Sequence, residues 1–199
     1  MDSDPSTDRT VLDPSAAAAG RRAYRVLMVC TGNICRSPMA QVVLTERLQR
    51  AGLQDEVEVG SAGVSDEEAG NPIDPRARTV LREAGYPVPE EHQAHQVAPG
   101  ELGGYDLVLA MTHQHAQALR RRAEQDGLAV TSPDAATQVR LFREFDPTAP
   151  RLSGGTSPQE LDVPDPWYGD QDGFYRTLDA VEAAADGLLE HCKETLANR

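Results

Sequence analysis

The sequence predicts an α/β domain with a four-stranded parallel sheet and helices on both faces. Three observations carry that expectation. Short apolar, β-branched runs alternate with segments whose apolar residues recur at steps of three and four. The helical segments are bracketed by cap residues, prolines and glycines. No internal repeat suggests a solenoid. Strand–helix alternation of this kind places parallel strands side by side with the helices packed over them.

Tyr24 to Val29 is aliphatic throughout after its first two residues and reads as a buried strand. Met39, Val43, Leu44 and Leu48 then fall at helical spacing, with Pro38 in the first turn and Gly52 past the end. Glu56-Val57-Glu58-Val59 alternates as a second strand. Asp74-Pro75 opens a helix through Val80, Leu81 and Ala84, and Gly85 stops it. Tyr105 to Met111 reads as a central strand, followed by a polar helix from Thr112 to Glu124. Val139 to Phe142 is expected to be the fourth strand, and Asp146 to Gly173, rich in Pro, Gly and Asp, a loop. The last helix carries Phe174, Leu178, Val181, Ala185, Leu188, Cys192 and Leu196 on one stripe, so Cys192 is expected in the core.

The length of 199 residues suits one domain with a tail. Residues 1–22 combine acidic and small residues without an apolar block, which is not a signal peptide. They are expected to be a disordered extension ahead of a domain spanning 23–199. No run approaches the ~20 apolar residues of a membrane span. The net charge of −13 argues against nucleic acid as a partner and requires a local positive site for any anionic ligand. Three cysteines form no disulfide framework and fit a reducing cytoplasm. The sequence leaves the oligomeric state open.

Two of those cysteines lie in one loop, Cys30-Thr31-Gly32-Asn33-Ile34-Cys35-Arg36-Ser37-Pro38, directly after the first strand. In parallel sheets ligands bind beyond the carboxyl ends of the strands. A loop entering a helix N-terminus turns its amides inward and adds the positive end of the helix dipole, a nest for a tetrahedral oxyanion. Gly32 and Asn33 are best able to accept left-handed dihedrals there. Amides, dipole and Arg36 together favour a thiolate at Cys30, while the Arg36 fork matches two phosphate oxygens. Cys-x5-Arg alone is also compatible with a strand-to-helix turn holding two buried thiols. Cys-x4-Cys with one remote cysteine offers too few ligands for structural zinc, and neither metal nor cofactor is expected.

The whole string CTGNICRSPMA resembles the signature of the low-molecular-weight protein tyrosine phosphatases. The likeness continues through Ser61-Ala62-Gly63, Gly70 to Ala77, His92 to Val97 and Asp162 to Asp170, and is greatest to the actinobacterial branch. It implies a phosphotyrosine-protein substrate and a phosphocysteine at Cys30, with the charge steadied by Arg36 and the loop amides of Thr31, Gly32, Asn33, Ile34 and Cys35. It implies that Ser37 supports the thiolate and that Asn33 keeps the loop strained through Ser61, with His92 buried behind it. Asp165 matches the general acid, and Trp167 and Tyr168 are expected to wall a slot for a phenyl ring. Cys35 matches a residue that can form a disulfide with the nucleophile under peroxide. His113, His115 and Arg120-Arg121-Arg122 read as solvated surface.

Two departures stand out. The rim reads Ser65-Asp66-Glu67-Glu68-Ala69 where an aromatic residue is usual, and Thr112 stands where an acidic residue is usual. Of the alternatives, arsenate reduction lacks a further cysteine pair, since residues 85–125 contain none. Phosphoarginine hydrolysis is disfavoured by Ile34, where relatives with that activity tend to have Thr. A non-catalytic phosphotyrosine-binding module would be expected to have lost the nucleophile or the acid.

Overall fold

The computed structural model describes residues 21–132, 134–152 and 155–199; the expected disordered extension lies, through residue 20, outside them. Four strands are described: β1 (Tyr24–Cys30), β2 (Val57–Gly63), β3 (Leu107–Ala110) and β4 (Gln138–Leu141). They form one parallel sheet in the order β2-β1-β3-β4. Cys30 pairs with Gly63, and Ala110 pairs with both Val29 and Leu141, so the carboxyl ends of all four strands finish at one edge.

Four helices cover the sheet: α1 (Arg36–Arg50), α2 (Pro75–Glu83), α3 (His113–Gln125) and α4 (Gln171–Ala197). The pleat of β1 divides the core in two. Val26, Met28 and Cys30 face the apolar residues of α1, α2 and α4, whereas Leu27 and Val29 face Ala116, Leu119 and Ala123 of α3. Cys192 is fully buried on α4, as the stripe predicts. Gly187 of the same helix is there for close approach: a Cβ at that position would sit 1.9 Å from the Phe145 carbonyl oxygen.

Several boundaries differ from the sequence-based expectation: the central strand is shorter, Leu107–Ala110, and the last helix starts at Gln171, inside the expected loop. Strand β2 runs on through Gly60-Ser61-Ala62-Gly63, whose small residues give no strand signal but pair in register with Leu27 to Cys30. The fourth strand is Gln138–Leu141, and Phe142 leaves it for a short 3₁₀ turn, Phe142–Phe145. The cause is Glu144, whose carboxylate accepts the Leu141 N–H at 2.7 Å and folds the chain back. The long loop from 146 to 170 contains, among the described residues, one further 3₁₀ turn, Pro158–Leu161.

Candidate active site

Cys30 ends β1 with its thiol almost wholly buried, and the following loop enters α1 at Arg36. Asn33, with φ of 59°, is the one non-glycine residue with positive φ among the described residues. Strain of that kind persists where the surroundings over-determine it, and here they do. The Asn33 side chain donates to Ser61 Oγ (2.9 Å) and Ser37 Oγ (3.0 Å) and accepts the His95 N–H (3.2 Å). Its carbonyl oxygen accepts from His92 Nε2 at 2.8 Å, which assigns the proton to that nitrogen. His92 is half-buried, and burial lowers its pKa. Ser61 in turn donates to Gln41 Oε1 at 2.7 Å.

Ser37 Oγ lies 3.0 Å from Cys30 Sγ and 3.2 Å from the Ala62 carbonyl oxygen. Its single hydrogen can serve either acceptor, the carbonyl when Cys30 is a thiol and the sulfur when it is a thiolate. Gly63 borders the loop from the neighbouring strand. A Cβ there would approach the Thr31 carbonyl oxygen to 2.5 Å, so the Ser-Ala-Gly strand end needs glycine for steric reasons.

Arg36 is 4% exposed. Its Nη2 donates to Asp165 Oδ2 at 2.7 Å and to Thr31 Oγ1 at 3.3 Å, and Nη1 donates to the Val163 carbonyl at 3.3 Å. Its Nε is buried with no partner among the described residues. A buried guanidinium with an unused donor beside a ring of loop residues is a seat for an anion. Arg36, Cys30, Cys35 and Asp165 line one cleft of about 180 Å³, together with Thr31, Gly32 and Ile34. Trp167, Tyr168, Glu67 and Glu68 also line it. Cys35 is also buried, and burial pushes its thiol pKa well above the ordinary cysteine range, with Asp74 adding to the effect.

The loop bearing Asp165 is held by residues that sequence reasoning passed over. Arg76, at the start of α2, donates to the carbonyl oxygens of Trp167 (3.3 Å) and Gly169 (3.2 Å). Its guanidinium also lies over the rings of Trp167 and Phe174. Asp74 caps α2 and fixes Arg76 through both carboxylate oxygens, while its own N–H donates to the Ile34 carbonyl. The Cys30–Arg36 loop and the Asp165 loop are thus joined through one Asp-Pro-Arg segment.

The histidines of α3 are a correction. They were expected on solvated surface, but His115 is 6% exposed and its Nε2 lies 3.0 Å from Thr31 Oγ1. His113 accepts or donates at 2.8 Å with Asp162, whose other oxygen takes the His113 N–H at 2.6 Å. The signal was present: His115 stands four residues before Leu119, on the buried stripe of Ala116, Leu119 and Ala123. Arg120 and Arg121 are exposed as expected.

The family model for low molecular weight phosphotyrosine protein phosphatases matches residues 25–198. A low molecular weight protein-tyrosine-phosphatase of Streptomyces coelicolor is 46% identical over 176 residues, which cover 88% of this chain and 98% of that one. Low molecular weight protein-tyrosine phosphatase A of Mycobacterium tuberculosis is 40% identical over 172 residues, covering 86% and 93%. Among solved structures, a protein tyrosine phosphatase from Entamoeba histolytica superposes with a TM-score of 0.71 at 27% identity, covering 87% of this chain and 99% of the other.

Proposed function

The chain belongs to the low-molecular-weight phosphotyrosine protein phosphatase family, and from that premise we propose that Cys30, Arg36 and Asp165 carry the hydrolysis of phosphotyrosine in proteins. The observation that supports these roles is the opening of all three side chains onto one cleft, with Arg36 and Asp165 2.7 Å apart.

In the first step a sulfur lone pair of Cys30 attacks phosphorus and the bond to the tyrosyl oxygen breaks. Asp165 gives that oxygen its proton, so tyrosine leaves neutral. The three equatorial oxygens are steadied by the loop amides and by Arg36, the usual source of rate in phosphoryl transfer. Phosphoryl oxygens compete with Asp165 for Arg36, so substrate binding frees the carboxyl group to face the leaving oxygen. In the second step water attacks the phosphocysteine, Asp165 takes its proton, and Cys30 departs as a thiolate that accepts a hydrogen bond from the Ser37 hydroxyl. Asn33, Ser61 and His92 hold the loop in shape, and Trp167 and Tyr168 flank the tyrosyl ring.

The catalytic domain spans 23–199. Three unpaired thiols, Cys30, Cys35 and Cys192, fit a reducing compartment such as the cytoplasm. Cys35 shares the cleft with Cys30, which supports a role in which its thiol attacks a sulfenic acid formed at Cys30 by peroxide, releasing water as the disulfide forms.

The test is turnover of a phosphotyrosine peptide with excess chelator present, by wild type and by Cys30→Ser. Wild type is expected to be fully active and to yield a trapped phosphocysteine on rapid acid quenching. Cys30→Ser is expected to bind inorganic phosphate without turning over. Retained turnover in Cys30→Ser would remove Cys30 as the nucleophile.

A further inference from the structure

Thr31 carries a side-chain hydroxyl at the first loop position after the nucleophile, and the phosphatase reading uses only its amide. The hydroxyl oxygen has two nitrogen neighbours, Arg36 Nη2 at 3.3 Å and His115 Nε2 at 3.0 Å. Arginine is always a donor. The imidazole is a donor or an acceptor according to its tautomer, and the surroundings decide which.

His115 Nδ1 is buried with no partner among the described residues. A proton on Nδ1 would bury an unsatisfied N–H, the rarer and costlier kind of orphan. A proton on Nε2 meets Thr31 Oγ1 and leaves only a lone pair at Nδ1. His115 is also neutral at physiological pH, since burial, reinforced by Arg36, pushes its pKa down to about 4. Thr31 Oγ1 therefore accepts two N–H bonds. Its one hydrogen has no protein acceptor among the described residues, and Thr31 is exposed and lines the cleft, so that hydrogen is available to an anion bound there.

Resting on the phosphatase reading of the cleft, we propose that the Thr31 hydroxyl is a direct donor to the bound phosphoryl group and that His115 is the positioning residue that aims it. The bound anion then receives a side-chain O–H in addition to the loop amides and the Arg36 fork. His115 never touches substrate; it acts by occupying one lone pair of Thr31 while Arg36 occupies the other.

The test measures two quantities: the Kd of inorganic phosphate by calorimetry, and kcat and KM for an aryl phosphate. Thr31→Val keeps the shape and removes the hydroxyl. It is expected to weaken phosphate about tenfold, the size of one charge-assisted hydrogen bond. His115→Leu should weaken phosphate by a similar factor, and the double variant should be no worse than either single one. Thr31→Ser and His115→Gln, which keep a hydroxyl and a side-chain N–H, should stay within about threefold of wild type. A merely structural histidine would lower thermal stability without moving phosphate affinity. Unchanged phosphate affinity in Thr31→Val, or losses that multiply in the double variant, would overturn the proposal. Should His115→Leu fail to fold, the ¹⁵N shifts of His115 in the wild-type protein assign the tautomer, and an Nδ1–H form would overturn it equally. If wild type binds phosphate with this pattern yet hydrolyses no aryl phosphate, the catalytic reading falls and the anion-site assignment stands.

Discussion

In the proposed reaction Asp165 holds two positions, acid in the first step and base in the second. It is bonded to Arg36, and its other oxygen accepts the Trp167 N–H at 3.2 Å. Asp165→Asn keeps the shape but removes the proton, so kcat for a phosphotyrosine peptide should fall by roughly 10²- to 10⁴-fold. The loss should shrink as the leaving group becomes acidic enough to depart unassisted, and an equal loss with good and poor leaving groups would place the acid elsewhere. That Asp165, Cys30 and Arg36 belong to one cleft was legible because spacing, a proline and flanking aromatics mark them locally. His115 was not singled out, because the polar residues around it mask the buried stripe of its helix. Helical periodicity alone would have placed it beside Leu119, but a polar neighbourhood of Gln114 and Gln117 hid that stripe.

At the scale of elements, α2 is more than a connection between β2 and β3. Its cap, Asp74, touches the nucleophile loop through the Ile34 carbonyl, and its next residue but one, Arg76, holds the Asp165 loop by two carbonyls. The sequence showed Asp74-Pro75 as a helix start and nothing further, because a cap signal does not say what the following arginine reaches. Two hydrogen bonds from a charged donor contribute about 1.5–3 kcal/mol each when well formed. Arg76→Ala should therefore loosen the acid loop and lower kcat for a phosphotyrosine peptide by about tenfold or more. Affinity for inorganic phosphate should change little, because the loop of Cys30 to Arg36 stays intact. Arg76→Ala also leaves the buried Asp74 carboxylate with fewer partners, so some loss of thermal stability accompanies it. If phosphate affinity and kcat fall together, α2 supports the nucleophile loop rather than the acid loop. Strand β2 makes the same point about legibility. Its last four residues are small and pattern-free, and only their pairing with β1 makes them a strand.

At the scale of the molecule, three histidines on separate segments share one property. Burial lowers the pKa of His92 on the loop behind the site, of His115 on α3 and of His191 on α4, in the last case with Arg140 adding to the effect. An unfolded histidine titrates near pH 6.5. Below that pH the unfolded chain takes up protons that these folded imidazoles refuse, so the unfolded state binds more protons and stability falls as pH falls. The window opens at about pH 6.5 and, for His115, closes near the folded value of about 4. A shift from 6.5 to about 4 corresponds to at most roughly 3 kcal/mol. Carboxylates enter lower down. For Asp146, burial alone would raise the pKa, but bonds from Thr148 and Arg143 outweigh it and hold it below its ordinary 3.8, so its contribution is lost only at stronger acidity. Urea unfolding should therefore give a lower midpoint at pH 5 than at pH 7, with the slope of the transition unchanged. His115→Gln, whose side chain does not titrate, should flatten that dependence whatever it does to stability at pH 7. A midpoint that stays constant between pH 7 and pH 5 in wild type would mean that the fold holds none of the three imidazoles neutral, His115 included. A charged His115 would carry a proton on both nitrogens beside Arg36, leaving a second buried N–H without a partner.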